Sequence, residues 1–311
     1  MPNYQGVWSL STQYQNVSGW PQPDQGRMLV AGGLSSDVNN AIVSIAINPS
    51  GANAQDFGDL TVARRSSSAC ASTTRACFMG GSTSGGSAAV NPIDYVTIAN
   101  AGNATDFGDL LNAVDSGAAC NSTTRGLYGG GFNPSYFNVI QKITIASTGN
   151  ATDFGDLTQA VRSHSADSSS TRGLFFRGFT GSSGRNNVDY VTIASDGNAT
   201  DFGDSGTTNS NACACGSGVR SLVTYSGNTA DVEYFTIAST GNATDFGDLS
   251  RSMAGNSSCA SSATLAIFQY ANISNLTQMT IATTGNGTDY GDMGITEGYK
   301  CATSNANGGL Q

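Results

Sequence analysis

The chain has 311 residues, of which 40 are glycine and only 11% are charged, with a formal net charge of −9. That balance excludes the positive surface that nucleic-acid phosphates or an anionic membrane require. One His and two Glu leave little material for acid–base or metal chemistry.

No run of 18 apolar residues occurs, so no membrane-spanning helix is expected. Met1 to Leu10 has neither the basic start nor the apolar region of a signal peptide. The seven Cys of such a chain are expected to be free thiols. A surface poor in Lys and Glu and rich in Gly, Ser, Thr and Asn fits an exposed structural protein. A virus particle is one place where a protein made inside a cell works outside it without a signal.

Residues 1–26 stand outside the repeated part of the chain and carry both of its Trp. Tyr4, Trp8, Tyr14 and Trp20 admit two readings. They form a strand packed on the body, or a docking arm, since aromatic residues dominate association energetics.

From Arg27 onward the chain repeats. Gly149-Asn150-Ala151-Thr152-Asp153-Phe154-Gly155-Asp156-Leu157 is one of six near-copies. The first Asp of each copy falls at 56, 106, 153, 201, 245 and 289, a period of 44 to 50 residues. Such a period marks units that bury their apolar faces only by stacking. Twelve of the 22 acidic residues are motif Asp, so the acidity follows from the repeat.

Units start near 27, 75, 125, 172, 220 and 265. Each opens with a short apolar strand, as in Arg75-Ala76-Cys77-Phe78-Met79-Gly80-Gly81. A variable Gly/Ser/Asn-rich loop comes second, for example Ser82 to Ala88 or Gly178 to Asn187. Next comes a β-branched, alternating strand such as Ile93 to Ala99 or Val188 to Ile193. A Gly-Asn turn leads into the motif strand, whose paired Asp suit an outer edge that must not pair with a neighbour. A run of small residues, such as Ser66 to Thr74, suits an innermost strand beside a narrow axis. Four short strands per unit and no 3.6-residue periodicity predict an all-β propeller of six blades.

The order of these strands and the Gly-Gly pairs at 32–33, 80–81 and 129–130 resemble the kelch repeat, with Phe or Tyr of the motif standing where kelch has Trp. The predicted fold is therefore a six-bladed kelch-like β-propeller spanning 27–311. The string Thr-Ile-Ala-Ser-Thr-Gly-Asn-Ala-Thr-Asp-Phe-Gly-Asp-Leu, at 144–157 and again at 236–249, is similar to tandem units of uncharacterised proteins from marine tailed phages. The resemblance covers roughly residues 27–310. It implies a non-enzymatic virion component of tail, fibre or capsid surface, serving assembly or host contact. It implies as partners other virion proteins, through the N-terminal arm, and a host-surface glycan or protein. A homo-oligomeric or symmetric assembly is expected, with no nucleic acid and no membrane insertion. A cellular carbohydrate- or protein-binding propeller is the alternative, and a glycan hydrolase the third reading.

The ends suggest closure. Lys300 to Ala306 reads like an inner strand, and the repeat begins at the next phase. The C-terminal strand is expected to complete the first blade.

Arg27, Arg75, Arg125, Arg172 and Arg220 open five of the units, and Thr264 is taken to stand in the sixth place. They either pair with a motif Asp of a neighbouring blade or ring one channel mouth. Cys70, Cys120, Cys215, Cys259 and Cys301 are read as equivalent small buried residues, too far apart across blades for a disulfide. Cys213-Ala214-Cys215 is not a zinc spacing, and one His builds neither a metal site nor a Ser-His-Asp arrangement. Two Asp and one Asn per unit fall short of the oxygens Ca²⁺ needs. No cofactor, no metal and no catalytic residue are therefore assigned. The Asn-x-Thr sites at Asn103, Asn150, Asn198, Asn242 and Asn286 are by-products of the repeat.

If residues 1–26 are a docking arm, their deletion leaves the thermal melt of the body unchanged and abolishes capture by purified particles. A body that unfolds on deletion makes the segment a packed strand instead.

Overall fold

Short connections return each strand antiparallel to the one before it. The six units thereby form six antiparallel four-stranded sheets, set in a ring as a six-bladed β-propeller. The structure is a computed structural model that describes residues 26–84, 88–227, 229–253, 255 and 257–306. The predicted arm residues Tyr4, Trp8, Tyr14 and Trp20 lie outside the described residues.

The second blade shows the pattern. Its strands, from the axis outward, are Ser68–Ala71, Arg75–Met79, Pro92–Thr97 and Thr105–Asp109. The first blade takes its inner strand from the far end of the chain, as expected. Cys301–Ser304 pairs with Arg27–Ala31, with Met28 opposite Ser304 and Ala31 opposite Cys301.

The fourth blade departs from the reading of Gly178 to Asn187 as loop. Arg172–Phe179 and Gly184–Thr192 run on into a hairpin, with Phe179 opposite Gly184, and Thr200–Asn209 extends beside it. A register shift between Phe176 and Gly178 makes room for the extension. Turn composition marks the tip correctly but not the flanking Gly178, Phe179, Gly184, Arg185 and Asn187, which find ladder partners.

The apolar core is divided among the seams between blades. Leu29, Ile42 and Phe57 of the first blade, for example, pack with Ala76, Phe78 and Val96 of the second. Burying each large side chain contributes about 1.5–3 kcal/mol, so a blade without its neighbours lacks most of its stabilisation.

The repeated motif is the seam fastener. Its Phe is buried in every copy, as is Tyr290 in the last. Phe and Gly together form a β-bulge against the third strand, where the ladder shifts register in all six blades. The Gly lies at φ +134 to +151, a left-handed conformation that disfavours side chains. A Cβ on Gly58 would also stand 2.3 Å from the carbonyl oxygen of Gly102 in the next blade. The second Asp then donates its backbone N–H to the Asn side chain of the following turn. Asp59 to Asn103, Asp156 to Asn198 and Asp292 to Asn53 are 3.1, 3.0 and 3.1 Å, and the other three seams match.

Ladder register corrects one assignment. Arg75 faces Thr97 and Leu265 faces Thr280, so Leu265 and not Thr264 holds the arginine place of the sixth blade. Thr264 matches Thr74, whose carbonyl accepts the same third-strand amide bond. Two departures from the repeat therefore meet at one seam. In the other five seams the arginine reaches a carbonyl of the next blade. At the sixth, Tyr290 replaces Phe, and its hydroxyl donates to the carbonyl of Ala46 and accepts from the amide of Asn48 at 3.0 Å in the first blade.

The cysteine reading is corrected as well. Cys70, Cys120 and Cys215 share one register, opposite Cys77, Leu127 and Leu222. Cys259 sits one residue out of phase, opposite Phe268, and Cys301 two, opposite Ala31. Cys259 therefore meets Cys213 of the preceding blade, with Cα atoms 6.2 Å apart, and the two form a disulfide. The remaining five thiols are free and buried, as expected.

Tyr290→Phe is expected to destabilise the propeller by about 1–3 kcal/mol in urea denaturation, since it strands an amide and a carbonyl. Adding Leu265→Arg should recover part of that loss. A strictly additive double-mutant cycle would show that the two positions do not compensate.

Candidate functional site

Five of the inner strands are entered through a residue in the left-handed region. Ser66, Ser116, Ser163, Asn211 and Tyr299 have φ of 52, 57, 54, 54 and 60°. Such residues cost about 1–3 kcal/mol each unless their surroundings hold them. Here an arc of main-chain hydrogen bonds does so. Ser66 N–H donates to Tyr299, Ser116 to Ser66, Ser163 to Ser116 and Asn211 to Ser163, at 2.7 to 2.9 Å. This arc lines one mouth of the axial channel.

In three units the residue just before that arc bridges to the variable loop. Arg65 pairs with Ser82, Asp115 with Phe132 and Arg162 with Phe179. Loops from successive blades are thereby drawn around the mouth. They enclose a cleft of about 450 Å³, lined by Arg65, Asp115, Phe132, Arg162, Phe179 and Tyr299 among others. The Arg162 guanidinium lies 4.6 Å from the centre of the Phe132 ring, 5.6 Å from Tyr136 and 5.8 Å from Phe179. Arg65 sits 4.7 Å over Tyr299. Guanidinium groups held over rings are pre-set in direction and keep their charge. The sequence assigns these two arginines no role, because Arg65 and Arg162 stand just before the small-residue runs read as inner strands.

The five repeat arginines lie at the other end of their strands, away from the cleft. Arg27, Arg75, Arg125, Arg172 and Arg220 each donate to a carbonyl of the next blade, those of Ile98, Ile145, Ile193, Ile237 and Ile281, at 2.8 to 3.0 Å. Their partner is thus main chain and not a motif carboxylate. Arg75, Arg172 and Arg220 also stack on Tyr95, Tyr190 and Tyr234 of their own blades. In the third blade Lys142 takes the Tyr place, and Asp196 pairs with both Lys142 and Arg125.

The channel has a waist of small side chains, Ala69, Ala119, Ala166, Ala214, Cys259 and Ala302. Beyond it, Asn121, Ser168, Ser261 and Ser304 each donate to a main-chain carbonyl of the preceding blade at 2.5 to 2.7 Å.

Most carboxylates outside the motif also serve seams. Asp94 accepts from the amide and hydroxyl of Thr61, and Asp189 from those of Thr158. Glu233 accepts from the amide of Gly206 at 2.9 Å. Asp94 also meets Arg64 at 2.9 Å in a fully buried ion pair that the sequence did not mark out. Among the described residues no cluster of three or more His, Cys, Asp or Glu is placed to hold a metal.

No protein-family model matches this chain, and no curated protein matches it.

Two buried groups near the axis oppose each other in pH response. Burial pushes His164 down to about 4 from its usual 6.5, and Asp167 up to about 6 from 3.8. The unfolded chain binds a proton that folded His164 refuses, so that contribution is lost as pH falls from about 6.5 to 4. Folded Asp167 keeps a proton the unfolded chain releases, so its contribution is lost as pH rises from about 3.8 to 6. Each is worth about 3 kcal/mol at about 1.4 kcal/mol per pKa unit, and together they nearly cancel. In Asp167→Asn the melting temperature should drop on acidification from pH 6.5 to 4. In His164→Gln it should rise over the same range. Parallel curves for both variants would show that these groups do not govern the response.

Proposed function

We propose that this protein is a non-enzymatic binding module of a phage particle, a component of tail, fibre or capsid surface. The observation that carries the binding reading is the division between the two faces of the ring. The repeated parts of each unit, the motif, the Asn clamp and the arginine, are all spent on seams. The parts that vary between units converge on one cleft at the channel mouth. Variable loops held on a rigid scaffold are where recognition concentrates.

The carboxylates support a binding role over hydrolysis. Cleavage of a glycosidic bond by the common route needs two carboxyl groups across the scissile bond. Asp115 is the single carboxylate among the residues that line the cleft, Glu233 holds a main-chain amide, and Asp167 lines the channel beyond the waist.

The particle setting rests on the resemblance of the tandem strings to units of marine tailed-phage proteins and on a composition low in Lys and Glu. In this reading residues 1–26 mount the propeller on other virion proteins, in a symmetric assembly. The cleft face then points outward to a host-surface glycan or protein.

Mass spectrometry of density-purified particles from the native source tests this. The expected result is the chain at a fixed ratio to the major capsid protein. Its recovery only with cells or soluble medium would replace the particle reading with a cellular binding propeller.

A further inference from the structure

We infer that the cleft at the channel mouth binds an acidic saccharide, a sugar carrying a carboxylate such as a uronic or sialic-type acid. The inference rests on the binding reading above and names its ligand class.

The first observation is Arg162. Three aromatic rings hold its guanidinium at 4.6 to 5.8 Å. Its Nε is buried and has no hydrogen-bond partner. Among the described residues no carboxylate pairs with it. Rings engage the face of a guanidinium and leave its edge, where the N–H donors lie. A planar fork with unspent donors, fixed before the ligand arrives, matches a carboxylate.

The second observation is charge. The chain as a whole is −9, yet the cleft lining holds two arginines against one aspartate. An anionic ligand is repelled by the body and drawn to this one mouth. Two cations are too few to track a nucleic-acid backbone.

The third is the polar lining. Ser66, Ser116, Ser163, Ser210, Asn133 and Asn211 also line the cleft. Hydroxyl and amide groups in that number suit a ligand with many hydroxyls of its own, more than an aliphatic acid. Asp115 adds an acceptor for sugar hydroxyl donors. A volume of about 450 Å³ has room for a short saccharide.

The test is isothermal titration of the full chain with a panel of uronic-acid and sialic-acid disaccharides. Their carboxyl-reduced neutral counterparts, acetate and inorganic phosphate complete the panel. At least one acidic saccharide should bind about tenfold or more tighter than its reduced counterpart, a difference of about 1.4 kcal/mol. Acetate and phosphate should bind no better than the neutral sugar. Arg162→Lys keeps the charge but loses the fork, so it should weaken the acidic ligand about tenfold and leave the neutral one unchanged. Because Arg162 also packs on three rings, Asp115→Asn, which keeps an acceptor oxygen and removes the charge, is the second variant. It should tighten the acidic ligand only.

Equal affinity for the acidic and reduced sugars overturns the inference. So does silence across the whole panel, or acetate binding as well as the saccharide. A failed titration leaves particle membership standing, and absence from particles leaves the cleft chemistry standing.

Discussion

The structure depends on how one blade is fastened to the next. A single short segment does most of that work. Its Phe enters the seam core, its Gly lets two main chains approach, and its second Asp offers an amide to the neighbour's Asn. Apolar burial supplies the energy, while the Gly and Asn fix the register in which it is collected. Six repetitions close a ring only if the last seam matches the first. At that seam a tyrosine hydroxyl stands in for the arginine, and Leu265 adds apolar surface.

Fastening on the outer edge and one face leaves the opposite mouth free to vary. The main-chain arc through Ser66, Ser116, Ser163 and Asn211 is repetitive, but the residues it carries just outside are not. Arg65, Asp115 and Arg162 occupy one place in three units and present two cations and an anion to one cleft. Chemical variety thus enters at positions whose backbone is already held. That is the arrangement recognition requires, since a pre-set site loses less conformational entropy on binding.

The buried polar groups follow the same economy. Asp94, Asp189, Gln141 and Glu233 hold one position in four blades, and each accepts the amide two residues past the second motif Asp of the preceding blade. Read singly along the chain, an Asp or Glu in a strand invites a catalytic role. Placed in the ring, each is the partner of an otherwise stranded amide. Arg64 shows the converse case. It looks like one more surface arginine beside Arg65, yet it is fully buried against Asp94.

The sequence by itself determined the repeat, the number of blades, the strand order within them and the closure by the last strand. Period, alternation and turn chemistry are local properties, and six copies average out the noise in any one. Tertiary structure alone decided which arginines serve the seams and which the cleft, because that depends on which end of a strand faces the variable loops. It also decided that Leu265 and Tyr290 answer each other, and that Cys259 reaches Cys213. A shift of one residue turns a strand side chain to the other face, and only the ladder register sets that phase.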